Sequence, residues 1–463
     1  MERKNAWAAY AEDDSRVEAF AKAYCDFINN GKTERECVAY GEKLAKAHGF
    51  EDLNAVIRAG RKLEAGARVY VNWMGKSFML FVLGEKPLEE GMNILGAHID
   101  SPRIDVKQNP LYEDTDLAYL DTHYYGGIKK YQWVAMPLAL HGVIIRKSGE
   151  KVLVNIGEDE NDPVFCISDL LIHLAQEQMA KNAKDVVEGE ALNLIVGGRP
   201  LAGEEKDAVK ANVLKLLGDK YGVEEEDFLS AELEIVPAGK ARDMGLDRSM
   251  ILGYGHDDRV CAYPSMMAVL DYEGTPDYTL CCIITDKEEI GSVGATGMAS
   301  HYLENTVAEL YACTEDYCEL AVRRCLRNSR MLSSDVSAGY DPNFASAFEK
   351  KNSAFLGRGI CFNKFTGSRG KSGSNDANPE FMASLRKIMD DAGVAFQTAE
   401  LGRVDLGGGG TIAYLCAKYG MNVIDSGIAV LSMHAPYEII SKVDLYEGYR
   451  CYCAFLKGAK PVD

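Results

Sequence analysis

Histidines and carboxylates stand at several points of this sequence where an apolar run ends or a helix is predicted to begin. The candidates are His98 and Asp100 in GAHIDSPRID, Asp257 and Asp258 in GYGHDDRVCAYPSM, Glu288 and Glu289 in TDKEEIG, Asp335 in LSSDVSAG, and His434 in AVLSMHAPYE. Imidazole nitrogens and carboxylate oxygens form a ligand set typical of Zn²⁺, with Co²⁺ or Mn²⁺ as alternatives. The first chemistry that this pattern predicts is therefore chemistry on bound divalent ions.

The adjacent pair Glu288 and Glu289 places two like charges directly after the apolar run YTLCCIIT. Two divalent ions would neutralise carboxylates that otherwise repel one another, and ions about 3.5–4 Å apart can share a water that becomes a nucleophile near neutral pH. Neighbouring residues at a strand end can point apart, so one glutamate can bind metal while the other stays available as a base. The pair favours hydrolysis at a site with two metal ions.

Each motif alone also has a structural explanation. An HxD triplet is most often two unrelated polar residues, and two adjacent glutamates usually begin a solvated helix. Asp257 and Asp258 can cap a helix, Asp335 can cap the turn after its strand, and His434 can be a hydrogen-bonded core histidine. The order and spacing of all five segments together are what favour the metal site.

The elements that must position these residues alternate between strands and helices. Strands are predicted at ARVYVNW, SFMLFVLG, MNILGAHID, TLCCIIT, RMLSSDV and MNVIDSGIAVLSMH, and helices as an amphipathic pair within 13–48, through AVRRCL, near 380–391 and from Asp444 onward. This alternation predicts an α/β fold with a mixed sheet flanked by helices. Working groups in such sheets gather beyond the carboxyl ends of the strands.

The stretch from about Ile104 to Met250 has a different character. Its predicted strands are WVAMPLALHGVII and KVLVNIG, its predicted helices are 168–184 and 206–221, and no paired acids or histidines mark its strand ends. A chain of 463 residues also exceeds the usual size of one hydrophobic core. We therefore predict a catalytic domain made of residues 1–104 and 251–463, interrupted by an inserted β-rich packing or assembly domain at 105–250.

Composition excludes some classes of partner. The 51 lysines and arginines stand against 70 aspartates and glutamates, which gives a formal charge of −19. Binding to a phosphate backbone needs clustered basic residues, so nucleic acid is not an expected partner.

The expected compartment is the cytoplasm. The opening MERKNAWAAYAEDDSR lacks the apolar core of a signal peptide, and no apolar run approaches the length of a membrane span, so no membrane partner is expected. The 13 cysteines form no regular framework, which suits a reducing compartment.

Two Gly-rich segments are candidates for substrate binding. The loop CFNKFTGSRGKSGSNDANPE carries Lys364, Arg369 and Lys371, which could form a basic pocket for an acidic side chain or could simply be solvated. Its GKS is not a phosphate-binding P-loop, because Phe365 stands where that motif requires glycine. In the run GGGG before TIAYLCAKYG, Gly409 and Gly410 would let backbone amides approach a substrate, although such runs also form tight turns.

The sequence resembles the aspartyl-aminopeptidase family of metallopeptidases with two cocatalytic metal ions. The resemblance rests on HIDSPRID, DDRVCAY, DKEEIGSVGATG, SSDVSAGYDPNF and GGGGTIAYLCAKYGMNVIDSGIAVLSMHAPYE, in that order over most of the chain. It implies a catalytic domain like that of the zinc exopeptidases and hydrolysis of the first peptide bond of a peptide.

The resemblance also implies a role for each site residue. His98 would bind one ion, Asp257 would bridge two, Glu289 and Asp335 would each bind one, and His434 would complete the second. Glu288 would be the general base, and Asp100 would orient His98 from behind. The family has a Gly-Thr-rich segment at the corresponding place, so the resemblance favours substrate contact by Gly409 and Gly410.

The resemblance further implies homo-oligomers, namely dimers that build a closed dodecamer through the inserted domain. Typical members carry a histidine near Asp169 that reaches into the site of a neighbouring subunit, and here that position reads as aspartate. The segment from Lys364 to Asn378 also departs from the family wording, so the resemblance does not imply strict preference for N-terminal Asp or Glu.

Two other functions are compatible with the same residues. One is a carboxypeptidase or amide deacylase on the same metal scaffold, which would be distinguished by activity on N-acylated substrates. The other is a catalytically silent scaffold for assembly or peptide binding, although the presence of every proposed ligand and of Glu288 argues against it.

Overall fold

Helices and strands alternate along most of residues 4–367 and 370–462, which the computed structural model describes. The helices are α1 Ser15–Asn30, α2 Glu34–Ala47, α3 Leu53–Arg58, α4 Gln176–Met179, α5 Ala208–Tyr221, α6 His256–Leu270, α7 Tyr302–Thr314, α8 Glu319–Asn328, α9 Pro379–Ala392, α10 Ala413–Ala417 and α11 Lys442–Gly458. The strands are β1 Glu51–Asp52, β2 Arg68–Trp73, β3 Ser77–Val82, β4 Asn93–His98, β5 Arg103–Asp114, β6 Leu117–Tyr125, β7 Leu138–Ile145, β8 Lys151–Ile156, β9 Leu194–Gly197, β10 Ala231–Pro237, β11 Arg242–Met244, β12 Met250–Gly253, β13 Leu280–Thr285, β14 Arg330–Ser334, β15 Ser337–Ala338, β16 Ile360–Asn363, β17 Phe396–Thr398, β18 Asn422–Gly427, β19 Ala429–Val430 and β20 Glu438–Ser441.

The chain divides into two compact units. The first unit consists of residues 1–100, 241–433 and 438–463, and the second consists of 101–240 and 434–437. The second unit thus begins four residues before the boundary expected from the sequence and ends ten residues before it. The short segment 434–437, which contains His434, clusters with the second unit.

The first unit is built on a nine-stranded mixed sheet in the order β1-β2-β3-β13-β4-β14-β18-β16-β17. Its four central strands, β13, β4, β14 and β18, all run parallel. The carboxyl ends of these four strands therefore share one edge of the sheet, where an α/β protein places its working groups. The predicted α/β fold is confirmed.

Apolar cores cover both faces of this sheet. Along β13, Leu280, Cys282 and Ile284 pack in one core, while Cys281 and Ile283 pack in the other. Successive side chains of a strand point to opposite faces, so a strand buried on both sides needs a continuous apolar run. This requirement explains why TLCCIIT shows no polar alternation.

Local signals fix the ends of several helices. The Thr33 Oγ1 accepts a hydrogen bond from the Glu36 amide at 3.3 Å, and the Glu36 carboxylate accepts one from the Thr33 amide at 3.1 Å. This reciprocal capping box begins α2. The amphipathic pair predicted within 13–48 is confirmed as α1 and α2.

The helix predicted at 168–184 is wrong in most of its length. Only a 3₁₀ turn, Ile172–Leu174, and the single turn of α4 form there. The side chains of Ile172 and Leu174 are each 68% exposed. A short amphipathic segment needs a surface on which to bury its apolar face, and among the described residues these two side chains stay exposed.

The second unit is β-rich, as predicted. Its six strands form an antiparallel sheet in the order β8-β7-β10-β5-β6-β9, with α5 as its longest helix. The long hairpin of β5 and β6 was not recognised in the sequence. In the described residues, no helix is long and apolar enough to cross a membrane.

A buried acid in the central sheet predicts a pH dependence of stability. Asp425 of β18 accepts a hydrogen bond from the Thr411 hydroxyl at 2.6 Å, and burial raises the pKa of its carboxyl from 3.8 to about 7. Between these pH values the folded state keeps a proton that the unfolded state releases, so Asp425 lowers stability as pH rises toward 7. In Asp425→Asn we expect a gain in stability, relative to the unchanged protein, that is larger at pH 8 than at pH 5.

The measurement is the urea midpoint of both proteins at the two pH values. The exposed Asp116, changed to Asn, is the control and should shift neither midpoint relative to the unchanged protein. An equal effect of Asp425→Asn at pH 5 and pH 8 would contradict the assignment.

Candidate active site

His98 ends β4 at the edge where the parallel strands finish. Its side chain is buried, with 2% exposed, and its Nδ1 lies 3.0 Å from the Asp100 carbonyl oxygen and 3.4 Å from the Asp100 Oδ1. A proton on Nδ1 serves these acceptors and leaves Nε2 directed at the neighbouring carboxylates. These contacts are compatible with the orienting role that the resemblance implies for Asp100, and that role stays a prediction.

Asp100 also holds the turn that carries the adjacent glutamates. Its Oδ1 accepts a hydrogen bond from the Glu288 amide and its Oδ2 accepts one from the Glu289 amide, both at 3.1 Å. These amides belong to a 3₁₀ turn, Glu288–Ile290, that follows β13. One buried carboxylate thus positions residues at the ends of two neighbouring strands.

Asp257 and Asp258 lie at the start of α6 with non-helical backbone angles, so the regular helix follows them, as predicted. The Asp257 amide donates to Glu438 Oε2 at 2.9 Å, and Asp258 Oδ2 accepts from the His98 amide at 3.3 Å. Both aspartates are buried. Glu438 therefore holds the backbone of Asp257, and Asp258 holds the backbone of His98.

Asp335 follows directly after β14, and 15% of its side chain is exposed. Its amide donates to the Ser426 carbonyl oxygen at 3.2 Å. A Cβ atom on Gly427 would come within 1.8 Å of the Asp335 carbonyl oxygen, which no side chain can do. The glycine in β18 is what lets the chain at Asp335 pass so close.

These residues converge on two overlapping groups of ligand atoms. The first contains His98, Asp257 and Glu289, the second contains His98, Glu288 and Asp335, and the atoms of each group lie within 4.8 Å of one another. His98 Nε2 is 3.2 Å from Asp257 Oδ1 and 3.9 Å from both Glu288 Oε2 and Asp335 Oδ1. Five of the predicted site residues are brought together from four segments of the chain.

Electrostatics in this cluster favour a bound cation. Burial raises the pKa of the Asp335 carboxyl well above its usual range, and the Glu288 carboxylate raises it further. Burial alone would lower the pKa of His98, but hydrogen bonds with the Asp100 and Asp257 side chains raise it well above its usual range. Several acids crowded away from water carry a repulsion that positive charge would relieve.

The donor set fits a divalent ion of the zinc type. It consists of one imidazole nitrogen and carboxylate oxygens, with no thiolate in either group, and Asp100 provides the outer hydrogen bond that metal-binding histidines usually make. His98, Asp257, Glu289 and Asp335 would hold metal at this place.

His434 lies in the second compact unit, with its Nδ1 2.9 Å from the carbonyl oxygen of Gly127. Among the described residues, neither group of ligand atoms includes it. The assignment of His434 as a metal ligand therefore stays a prediction.

The proposed basic pocket has an internal counterion. Asp376 accepts hydrogen bonds from Lys364 at 2.5 Å and Lys371 at 3.0 Å, and these two lysines lower the pKa of its carboxyl. β16, which precedes Lys364, runs antiparallel to β18, so the chain leaves it away from the edge that carries Asp335. Arg369, the third predicted cation, lies outside the described residues.

The Gly-rich run contacts this loop through its backbone. The Gly409 amide donates to the Thr366 carbonyl oxygen at 3.1 Å, and a Cβ atom on Gly410 would meet nothing within 4 Å. The helix expected directly after the run begins only at Ala413, as α10, and is five residues long. The space beside Gly410 is compatible with substrate contact, which remains a prediction.

One residue near the site, Glu438, was not singled out by the sequence pattern. Glu438 lies four positions after His434, but nothing in the motif indicates that it binds the Asp257 amide.

Comparison with known proteins identifies the family. The family model described as Aminopeptidase I zinc metalloprotease (M18) matches residues 27–456. A relative from Clostridium acetobutylicum, called a probable M18 family aminopeptidase 1, is 58% identical over 458 residues and covers 98% of each chain.

Solved structures agree with this result. The crystal structure of an M18-family aminopeptidase from Thermotoga maritima matches with a TM-score of 0.94 and 42% identity, over 99% of this chain and 100% of that one. The S. cerevisiae mApe1 dodecamer shares the fold with a TM-score of 0.75 and 22% identity, over 96% of this chain and 97% of that one. The chain described here belongs to the M18 aminopeptidase family and is a zinc metallopeptidase.

Proposed function

We propose that this aminopeptidase hydrolyses the N-terminal peptide bond of peptides with two divalent metal ions, of which zinc is the first choice and cobalt or manganese the alternatives. The observation that carries the proposal is the pair of overlapping ligand groups that share His98, with Asp100 bound to both glutamate amides. A single imidazole surrounded by four carboxylates has more acceptors than one ion needs.

The bound ions would polarise the scissile carbonyl and make water acidic enough to attack it. In this mechanism Glu288 takes the proton from the attacking water and returns it to the leaving amine. Asp100 keeps the turn of Glu288 in place during both transfers, because its carboxylate accepts the amide of that residue. Its carbonyl keeps His98 in one orientation.

Exposure supports the division of labour between the two glutamates. Both glutamates are half-buried, but Glu289 Oε1 is shielded from solvent, and 16% of the Glu288 side chain is exposed. A shielded oxygen favours metal binding, and a base must reach both water and the leaving group. We therefore assign Glu289 to the metal and Glu288 to proton transfer.

Substitution of Glu288 and of Asp257 should separate catalysis from metal binding. We expect Glu288→Gln to lower kcat about 10²–10⁴-fold, the usual contribution of a general base, while both ions stay bound. We expect Asp257→Asn to lose metal and activity together, because a proposed bridging carboxylate becomes a neutral amide. The measurements are initial rates on an aminoacyl substrate and metal content per chain by atomic absorption.

The exposed Glu273, changed to Gln, is the matched control and should behave like the unchanged protein. A nearly normal rate in Glu288→Gln, or two ions retained in Asp257→Asn, would refute the assigned roles.

Substrate preference is proposed to include acidic N-terminal residues, through Lys364 and Lys371. Their positive charge supports the proposal, which requires the loop that begins after β16 to turn back toward the edge that carries Asp335. Two lysines that share one aspartate keep one net positive charge for a substrate carboxylate.

A substrate panel tests this preference. We expect the ratio of kcat/KM for Asp over Leu substrates to rise in Asp376→Asn, which frees both lysines, and to fall in Lys364→Gln/Lys371→Gln, which removes them. Initial rates on Asp, Glu, Leu, Lys and Met substrates give the ratios, and N-acylated substrates test the deacylase alternative. If neither variant changes the ratio, the loop does not select substrates.

Assembly is proposed to proceed through the second unit, giving a homo-oligomer and ultimately a dodecamer built from dimers. Exposed apolar side chains cluster at the 3₁₀ turn Ile172–Leu174 of this unit, including Leu171, Ile172 and Leu174. Side chains of this size exposed together usually mark a contact surface. The dodecamer described for S. cerevisiae mApe1 supports the proposed number of copies.

Light scattering tests the assembly. We expect the unchanged protein to have a mass near twelve times the 50.8 kDa of one chain, and Ile172→Asp/Leu174→Asp to form smaller species, because charges would enter a buried contact. The exposed Leu246 of the first unit, changed to Asp, is the control. A monomeric mass for the unchanged protein at micromolar concentration would contradict the proposal.

The cytoplasm is the proposed compartment. All 13 cysteines are unpaired in the structure, and most of them are buried. Unpaired thiols in this number are typical of proteins from reducing compartments.

A further inference from the structure

Positive side chains collect at the edge of the central sheet opposite the metal cluster. Arg323, Arg324 and Arg327 lie on α8, Lys418 follows α10, and Lys460 follows α11. This concentration stands out in a chain with a formal charge of −19. A local positive field on an acidic protein attracts anions that the rest of the surface repels.

The cations line two cavities. The first, of about 270 Å³, is bordered by Arg323, Arg324, Arg327 and Lys418, together with the ring of Tyr419. The second, of about 360 Å³, is bordered by Arg327, Arg330 and Lys460. Arg327 lies on both, so a single ligand at Arg327 could reach either cavity.

Few acids balance these cations. Glu304 is the only acid on the first cavity and Glu90 the only one on the second, among the described residues. Arg323 pairs with Glu319 at 2.7 Å and Arg324 pairs with Glu89 at 3.7 Å, so the charge of these two arginines is partly compensated.

Three of the cations keep their charge uncompensated. Within residues 4–367 and 370–462, Arg327, Lys418 and Lys460 form no ion pair. Arg327 Nε donates to Asn328 Oδ1 at 3.3 Å, and Lys418 Nζ lies 5.2 Å from the centroid of the Tyr414 ring, so the charge of both groups is still open to an anion.

Arg330, at the base of the second cavity, is buried and incompletely bonded. Its Nε donates to Asn93 Oδ1 at 2.6 Å, and its guanidinium stacks on the Tyr278 ring at 4.1 Å. Neither Nη atom has a hydrogen-bond partner among the described residues. Burial lowers the pKa of Arg330 to about 10. A buried guanidinium with open donors is stabilised by a nearby negative charge.

The place of the cavities in the fold separates them from the active site. Arg330 is the first residue of β14, and Asp335 follows the last. At about 3.3 Å per strand residue, the two lie roughly 16 Å apart along the strand. Substrates of α/β sheets bind at the carboxyl ends of strands, so this opposite edge is not part of the peptidase site.

We propose that the two basic cavities joined by Arg327 form a binding site for a small multivalent anion that carries phosphate or carboxylate groups. Concave cavities of this size suit a small molecule, and the ring of Tyr419 and the side chains of Leu320 and Leu326 would contact its uncharged part. The guanidinium groups of α8 would bind the anionic groups in the paired geometry that arginine favours. The proposal does not depend on the peptidase mechanism or on its metal.

Calorimetric titration of the metal-loaded protein tests the site with two probes, inorganic phosphate and succinate, at an ionic strength held constant with sodium chloride. We expect at least one probe to bind, and Arg327→Glu/Lys418→Glu to weaken that binding about tenfold or more, because two attractive charges become repulsive. A second variant, Lys460→Glu, tests the second cavity and should also weaken binding. Lys147→Glu/Lys151→Glu, on the hairpin of β7 and β8, is the matched control and should bind as the unchanged protein does.

Each outcome decides the proposal. Binding of phosphate alone identifies a phosphorylated ligand, binding of succinate alone identifies a carboxylate ligand, and binding of both identifies a site that reads charge. No binding of either probe, or equal affinity in the unchanged protein and in Arg327→Glu/Lys418→Glu, would overturn the proposal. Circular dichroism of each variant confirms that the charge reversals leave the fold intact.

Discussion

The carboxylate of Asp100 is the interaction on which the rest of the active site depends. It is buried, and it accepts the amides of both Glu288 and Glu289 while the same residue's carbonyl faces His98. An ionised carboxylate away from water must be compensated by donors, and here the donors are the backbone of the very turn that needs positioning. The buried carboxylate and carbonyl of Asp100 thus position three other residues, namely Glu288, Glu289 and His98.

The parallel arrangement of β13, β4, β14 and β18 makes these contacts of Asp100 possible. Each of these strands is buried on both faces, so an ionisable residue within them needs a buried partner, as Asp425 has in Thr411, and the candidate site residues stand where the strands end. Four strands that end at one edge bring residues distant in sequence within hydrogen-bond reach. The crowding of acids there follows directly from the topology, and the cost of that crowding is what a metal ion would offset.

Much of this arrangement could be predicted from the sequence, because its causes are local. An apolar run that leads to His98, Glu288 or Asp335 predicts both a buried strand and the end of that strand at which a candidate site residue lies. The amphipathic pattern of α1 and α2 was equally readable, since their apolar faces have a core to cover.

Features that depend on contacts between distant segments could not be predicted in this way. The segment 168–184 carries a helical pattern, but its apolar side chains at 170–172 and 174 stay exposed in the part of the chain that the structure describes, so the pattern alone predicted the wrong structure. The bond of Asp376 to Lys364 and Lys371, and that of Glu438 to the Asp257 amide, arise from how loops fold back, which residue types do not encode. His434 is a similar case, because its neighbours depend on the path of the segment 434–437 rather than on its motif.

The five residues of β14 have a consequence for how sequences of this fold can diverge. This strand is hydrogen-bonded on both sides, to β4 and to β18. The chain that leaves it at Asp335 passes so close to Gly427 that no side chain would fit there. Inserting or deleting one residue within it would exchange the two faces of the strand and carry Asp335 out of line with His98. Evolutionary change in length is therefore expected to accumulate in the loops around β14, and the strand itself should keep the same number of residues wherever the chemistry is kept.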